Sequence, residues 1–148
     1  DYSFVFTGPE DDIFRRDRIH SLKNAYFTGQ KKVDELPAYI AAYDVCINPQ
    51  MVNEITDGNY PLKIDEYLAM GKPTVATSTH TMRNIFAGHT HLAINPEEWL
   101  AAIDRAVTEA DDKELAKQRI AFAETHSWGH SVKKIYDIID KFLKERTT

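Results

Sequence analysis

Five short apolar runs, separated by stretches of helical periodicity, restrict what this chain can fold into more than any other feature. They are "SFVFTG" (3–8), "AYFTG" (25–29), "DVCINP" (44–49), "PTVAT" (73–77) and "HLAI" (91–94). Several are apolar throughout rather than alternating, the pattern of strands covered on both faces. Residues 11–23 are charged and read as helical, and "DELPAYIAAYD" (34–44) carries apolar residues at 36, 39, 40 and 43. That i, i+3, i+4, i+7 stripe is one face of an amphipathic helix. "YPLKIDEYLAM" (60–70) has Pro61 at an allowed first-turn position and Gly71 where a C′ residue belongs. A short helix is expected near 80–87, ending at Gly88.

The remainder reads as helix. "NPEEWLAAIDRAVTEA" (95–110) opens on an Asn cap, Pro96 and two acids. "DKELAKQRIAFAETH" (112–126) and "SWGHSVKKIYDIIDKFLKE" (127–145) follow. Trp99 and Trp128, at helix starts, read as packing anchors, and the apolar spacing of 135–143 marks a core or interdomain face. Strands alternating with helices at this spacing build βαβ units. Right-handed crossovers make them a doubly wound, Rossmann-like α/β fold. About five parallel strands with helices on both faces and a C-terminal helical tail are expected.

Composition narrows the function. At 148 residues the chain suits one domain that buries roughly two-thirds of its unfolded surface. Eighteen basic and 23 acidic side chains leave a formal net charge of −5, which excludes a general nucleic-acid surface. Cys46 is the single cysteine, so neither a disulfide framework nor a cysteine-based metal site can form within the chain. No apolar run approaches the ~20 residues of a membrane-spanning helix. Of six histidines, His89 and His91 have a ligand-like i, i+2 spacing but no acidic third ligand nearby, and His80 suits the surface or a cap. No metal site is expected.

In doubly wound sheets ligands bind outside the carboxyl ends of the strands. That directs attention to "TGPEDD", "TGQKKVDE" and the long polar loop "NPQMVNEITDGNYP". The last feeds a helix whose free N–H groups and dipole form a seat for phosphate. Gly58 would let backbone approach a ligand closely. Lys63 in the first turn opposes the dipole unless an anion sits there. Glu66, three residues on, can share its face and lies roughly 5–8 Å deeper, about the span from a diphosphate to a ribose. An ionised carboxylate can accept from both vicinal hydroxyls. The same residues also suit a plain solvated helix face, and spacing alone leaves both readings open.

The segment "YPLKIDEYLAMGKPTVAT" resembles the donor-binding segment of retaining GT-B glycosyltransferases of the large family-four group. The bacterial polysaccharide branch of that group has the pattern P-x-K-x-x-E-Y-L-A-x-G-x-P-V-V-x-T. The order of "FVFTGPEDD", "NAYFTGQKKVDELPAYIAAYDVCINP" and the closing "ETHSWGHSVKKIYDII" is similar too, so the resemblance covers residues 2 to about 144. It implies that Glu66 binds the donor ribose. It also implies that Asp57, Gly58, Asn59, Tyr60, Pro61, Leu62 and Lys63 lie at the diphosphate and sugar. Gly29, Gln30 and Lys31 would hold the base. No cofactor or metal is implied beyond a nucleotide-diphosphate sugar as donor substrate, with an acceptor glycan or lipid as the other partner.

Two departures qualify the resemblance. Many members carry a glutamate eight positions before the ribose glutamate, where this chain has Gly58, with Asp57 adjacent and Glu54 further back. Asp57 would have to substitute. The chain also starts at what resembles the second strand of the donor domain, so the first strand and the N-terminal acceptor domain are expected to lie outside it. Residues 1–148 should then fold as the donor half but not catalyse transfer alone. The full-length protein would be cytoplasmic, peripheral at the inner face of the membrane. A nucleotide-sugar 2-epimerase and a non-catalytic scaffold retaining the fold remain as alternatives.

Overall fold

The structure, a computed structural model, describes residues 2–146. It divides into two compact units, residues 1–39 and 40–148. In the first, β1 (Phe4–Thr7) pairs in parallel with β2 (Ala25–Gly29), Phe4 opposite Ala25. The register shifts between Phe6 and Thr7, so Thr7 faces Gly29. The rings of Phe6, Phe14 and Phe27 cluster beside this ladder, and His20 stacks on Phe27 at 3.8 Å.

The charged segment 11–23 is not the expected helix. It forms two 3₁₀ turns, Phe14–Arg16 and Arg18–Ser21, joined by an extended Asp17 (φ −68°, ψ 145°). Asp11 Oδ1 accepts from the N–H groups of Ile13 and Phe14, and Asp17 Oδ1 from that of Ile19. These short carboxylates satisfy the backbone locally and so compete with a continuous helix.

Helix α1 (Leu36–Ala42) follows, shorter than its sequence pattern. The second unit holds β3 (Cys46–Asn48), β4 (Thr74–Thr77) and β5 (His91–Ala93), all parallel in the order β3-β4-β5. The five expected strands are therefore all present, each parallel to its hydrogen-bonded neighbours, in one ladder of two and one of three.

Strand β4 is buried along its whole length, and its alternation divides the core into two layers. Ala76 on one face belongs with Ile64 and Leu68 of α2 (Leu62–Ala69), Met82 and Phe86 of a π-helix (Met82–Phe86), and Ala123 of α4 (Lys113–Glu124). Val75 on the other belongs with Ala93 and with Ala102 and Ala106 of α3 (Pro96–Thr108). Asn95 caps α3, accepting from Glu98 N–H at 2.9 Å, as the Asn-Pro-Glu-Glu pattern indicates.

Gly71 ends the α2 region with φ +71°, and a Cβ there would lie 3.1 Å from Ala116 Cβ of α4. Arg119, 5% exposed, bonds Glu109 and reaches the Gly71 carbonyl at 3.5 Å, tying α4 to both neighbours. Burial pushes the Cys46 thiol up to about 12, against a smaller opposing pull from Lys72.

Trp99 packs against the α3 layer as expected, but Trp128 is 84% exposed and anchors nothing. It opens α5 (Trp128–Arg146), which has no buried residue. Val132, Ile135, Tyr136, Ile139 and Phe142 are all exposed, so the 135–143 stripe is not core. No helix among the described residues is long and apolar enough to cross a membrane.

Candidate functional site

The loop between β3 and α2 is fastened by its own side chains. Asn53 Oδ1 accepts from Ile55 and Thr56 N–H, each at 3.0 Å, and Thr56 Oγ1 accepts from Asn53 N–H while donating to the Met51 carbonyl. Gln50 N–H donates to Thr77 Oγ1 at 2.8 Å, joining the loop to the end of β4. Asp57 Oδ1 accepts from His80 N–H at 2.7 Å, and its carbonyl accepts from Thr81 N–H at 3.2 Å. One oxygen of the carboxylate expected at a sugar is thus engaged in capping the turn before the π-helix.

This frame leaves a cleft of about 370 Å³ lined by Asn48, Pro49, Gln50 and residues 59–63. Pro61 is the N-cap of α2 (φ −85°, ψ 90°) and no side chain caps the helix. As a proline it has no N–H, and the first-turn amides of Leu62 and Lys63 have no helical acceptor. The cleft therefore receives two free backbone donors and the positive end of the dipole. Lys63 lines it, exposed, with no ion pair among the described residues. Glu66, a turn further along, is likewise exposed and without a side-chain partner there.

Asn48 and Gln50 complete the lining and were not anticipated as site residues. Asn48, at the carboxyl end of β3, is 7% exposed and lines the cleft. An asparagine at the end of an otherwise apolar strand run was the available signal.

A second unanticipated contact lies at the cleft's rim. Tyr60 donates to Asp65 Oδ2 at 2.6 Å, and Asp65 Oδ1 lies 2.9 Å from His126 Nδ1. The imidazole meets the Phe122 ring edge-on at 4.5 Å. Partial burial, and next the bond to Asp65, raise the Tyr60 phenol well above its ordinary value.

Gly29, Gln30 and Lys31 lie in the first unit. Gly29 has φ +69° and accepts from Gly8 N–H at 3.1 Å, and Lys31 Nζ stands 5.3 Å from the Tyr39 ring centre. His91 Nε2 lies 3.0 Å from Glu109, whose other oxygen bonds Arg119. His89 stacks on Phe122 instead, and no group of three His, Cys, Asp or Glu suited to a metal forms among the described residues.

Residues 1–109 match the family described as glycosyl transferases group 1. The chain belongs to that family. The match takes in β1 to β5, the whole α2 cleft and α3 of this group 1 member, ending one residue past the end of α3. Over 134 residues it is 28% identical to TuaH of Bacillus subtilis (strain 168), a protein whose name assigns it to teichuronic acid biosynthesis as a glycosyltransferase. That alignment covers 86% of this chain and 34% of the relative, so the chain spans about a third of the relative's length.

Proposed function

We propose that this group 1 chain is the donor-binding part of a glycosyltransferase that takes a nucleotide-diphosphate sugar. The uncapped start of α2 carries the reading, since its first-turn N–H groups and Lys63 meet in one cleft that Asn48 and Gln50 also line. The N–H groups of Leu62 and Lys63, with the Lys63 ammonium, take the diphosphate. Glu66, exposed one turn along, accepts from the ribose hydroxyls. Gly58 and Asn59 let backbone approach the sugar end. The base-holding role of Gly29, Gln30 and Lys31 rests on the resemblance alone.

Donors fixed before the reaction stabilise charge as it develops on the departing diphosphate. Helix dipole and Lys63 together supply what a bound metal would otherwise provide, and transfer is metal-independent with retained anomeric configuration. The acceptor is a glycan or lipid of the cell envelope, supported by the biosynthetic name of the Bacillus relative. Transfer needs residues beyond this chain.

The Glu66 assignment is tested by comparing a ribonucleoside diphosphate with its 2′,3′-dideoxy analogue. Wild type should prefer the ribonucleotide and Glu66→Gln should lose most of that preference. Equal binding of the two by wild type would remove Glu66 from the ribose.

A further inference from the structure

Helix α5 has no buried residue, yet its sequence builds one contiguous apolar face. Trp128, Val132, Ile135, Ile139 and Phe142 recur at spacings of four and three, and each is exposed. Tyr136, Ile138 and Leu143, also exposed, widen the stripe on both sides. At about 100° per residue the eight fall within an arc of roughly 160°. The a/d seam over which a second copy of the helix would close is narrower than that. Exposed apolar surface on this scale marks a contact with another macromolecule or with a bilayer.

The charge on the same helix selects between these. It carries Lys133, Lys134, Lys141, Lys144 and Arg146 against Asp137, Asp140 and Glu145, an excess of two positive charges. The rest of the chain has thirteen basic and twenty acidic side chains, so the basic excess is local to the apolar helix. Two of its three acids are already paired within it, Asp137 with Lys133 at 2.6 Å and Glu145 with Lys141 at 4.0 Å. Arg146 stands 5.7 Å from the Phe142 ring centre, so the last turn joins a cation to the apolar face. A strongly amphipathic helix of low overall hydrophobicity, with lysines on one face and Trp and Phe on the other, lies in the plane of a membrane interface rather than across it. Aromatic rings and long lysine stems both suit the headgroup boundary. We propose that α5 docks on the surface of an anionic lipid bilayer, its apolar face toward the acyl chains. The assignment is independent of the donor-site reading.

Sedimentation of the 148-residue chain, and of the full-length protein, with vesicles of phosphatidylcholine alone and with phosphatidylglycerol added tests the assignment. Both proteins should bind the anionic vesicles roughly tenfold or more tightly than the neutral ones, and salt should weaken the binding. Trp128 emission should shift to the blue on binding, and Trp128→Phe should remove the shift, since Trp99 is packed in the α3 layer. Ile135→Ser with Ile139→Ser should lower affinity roughly tenfold or more. Thermal unfolding should show that variant still folded, because α5 has no buried residue. Lys133→Gln with Lys134→Gln should erase most of the preference for anionic lipid. Equal binding to both vesicle types, or binding to neither, would overturn the proposal. So would binding by the 148-residue chain that the full-length protein lacks, which would mean that the remainder of the protein covers α5. A lipid-free dimer dissociated by Ile135→Ser with Ile139→Ser would overturn it in favour of a second copy.

Discussion

Asp57 Oδ1 accepts the backbone N–H of His80 at 2.7 Å, so the acid just before the cleft loop's glycine serves as a helix cap. Asp57→Ala should cost about 1 kcal/mol of stability in urea unfolding. Asparagine caps as well as aspartate, so Asp57→Asn should keep both stability and nucleotide-sugar affinity. Lost affinity in a stable Asp57→Asn protein would return the charge to the ligand.

Gly71 closes the turn after α2 where α4 passes close by. Gly71→Ala should lower stability by about 2 kcal/mol, from the left-handed backbone and a Cβ pressed against Ala116, and thermal unfolding reads the loss. Gly88→Ala is the control, since a Cβ there meets nothing within 4 Å.

Burial first, then the nearby positive charge of Arg119 and of His126, lowers the His89 imidazole below its ordinary value of 6.5. The unfolded chain therefore binds more protons than the folded one between that lowered value and 6.5. His89's contribution is complete above 6.5 and is lost as pH falls through the lowered value. Urea midpoints measured from pH 7.5 down to 5 should fall less steeply for His89→Gln than for wild type.

The apolar stripe of α5 faces solvent, and Ile135→Ser should change stability by no more than about 0.5 kcal/mol. Leu68→Ala, in the fully buried α2 face, should cost about 2–5 kcal/mol in the same assay. Comparable losses at the two positions would mean that α5 packs in solution.

Much of this architecture was legible because periodicity reports burial. The run at 25–29 coincides with β2, and the Asn-Pro-Glu-Glu pattern places the start of α3 to the residue, because cap chemistry is local. Segment 11–23 misled for the same reason in reverse. Its charged composition resembles a helix, but Asp11 and Asp17 bond the backbone within three residues. The α5 stripe has a core-like pattern, yet a pattern says only that a face is apolar, not what covers it. Lys63 and Glu66 could be placed on α2 from spacing alone. His126 could not be linked to Asp65, since 61 residues separate them and only the fold brings them together.

The central claim is that the start of α2 receives a nucleoside diphosphate. Protein-observed NMR titration with UDP, GDP and ADP addresses it most directly, residue by residue. For one of the three, saturable amide shifts should concentrate at Asn48, Gln50 and residues 58–66 (Pro61 excepted), with Gly29, Gln30 and Lys31 reporting the base contact separately. Millimolar concentrations of all three leaving the Leu62 and Lys63 amides unmoved would contradict the account.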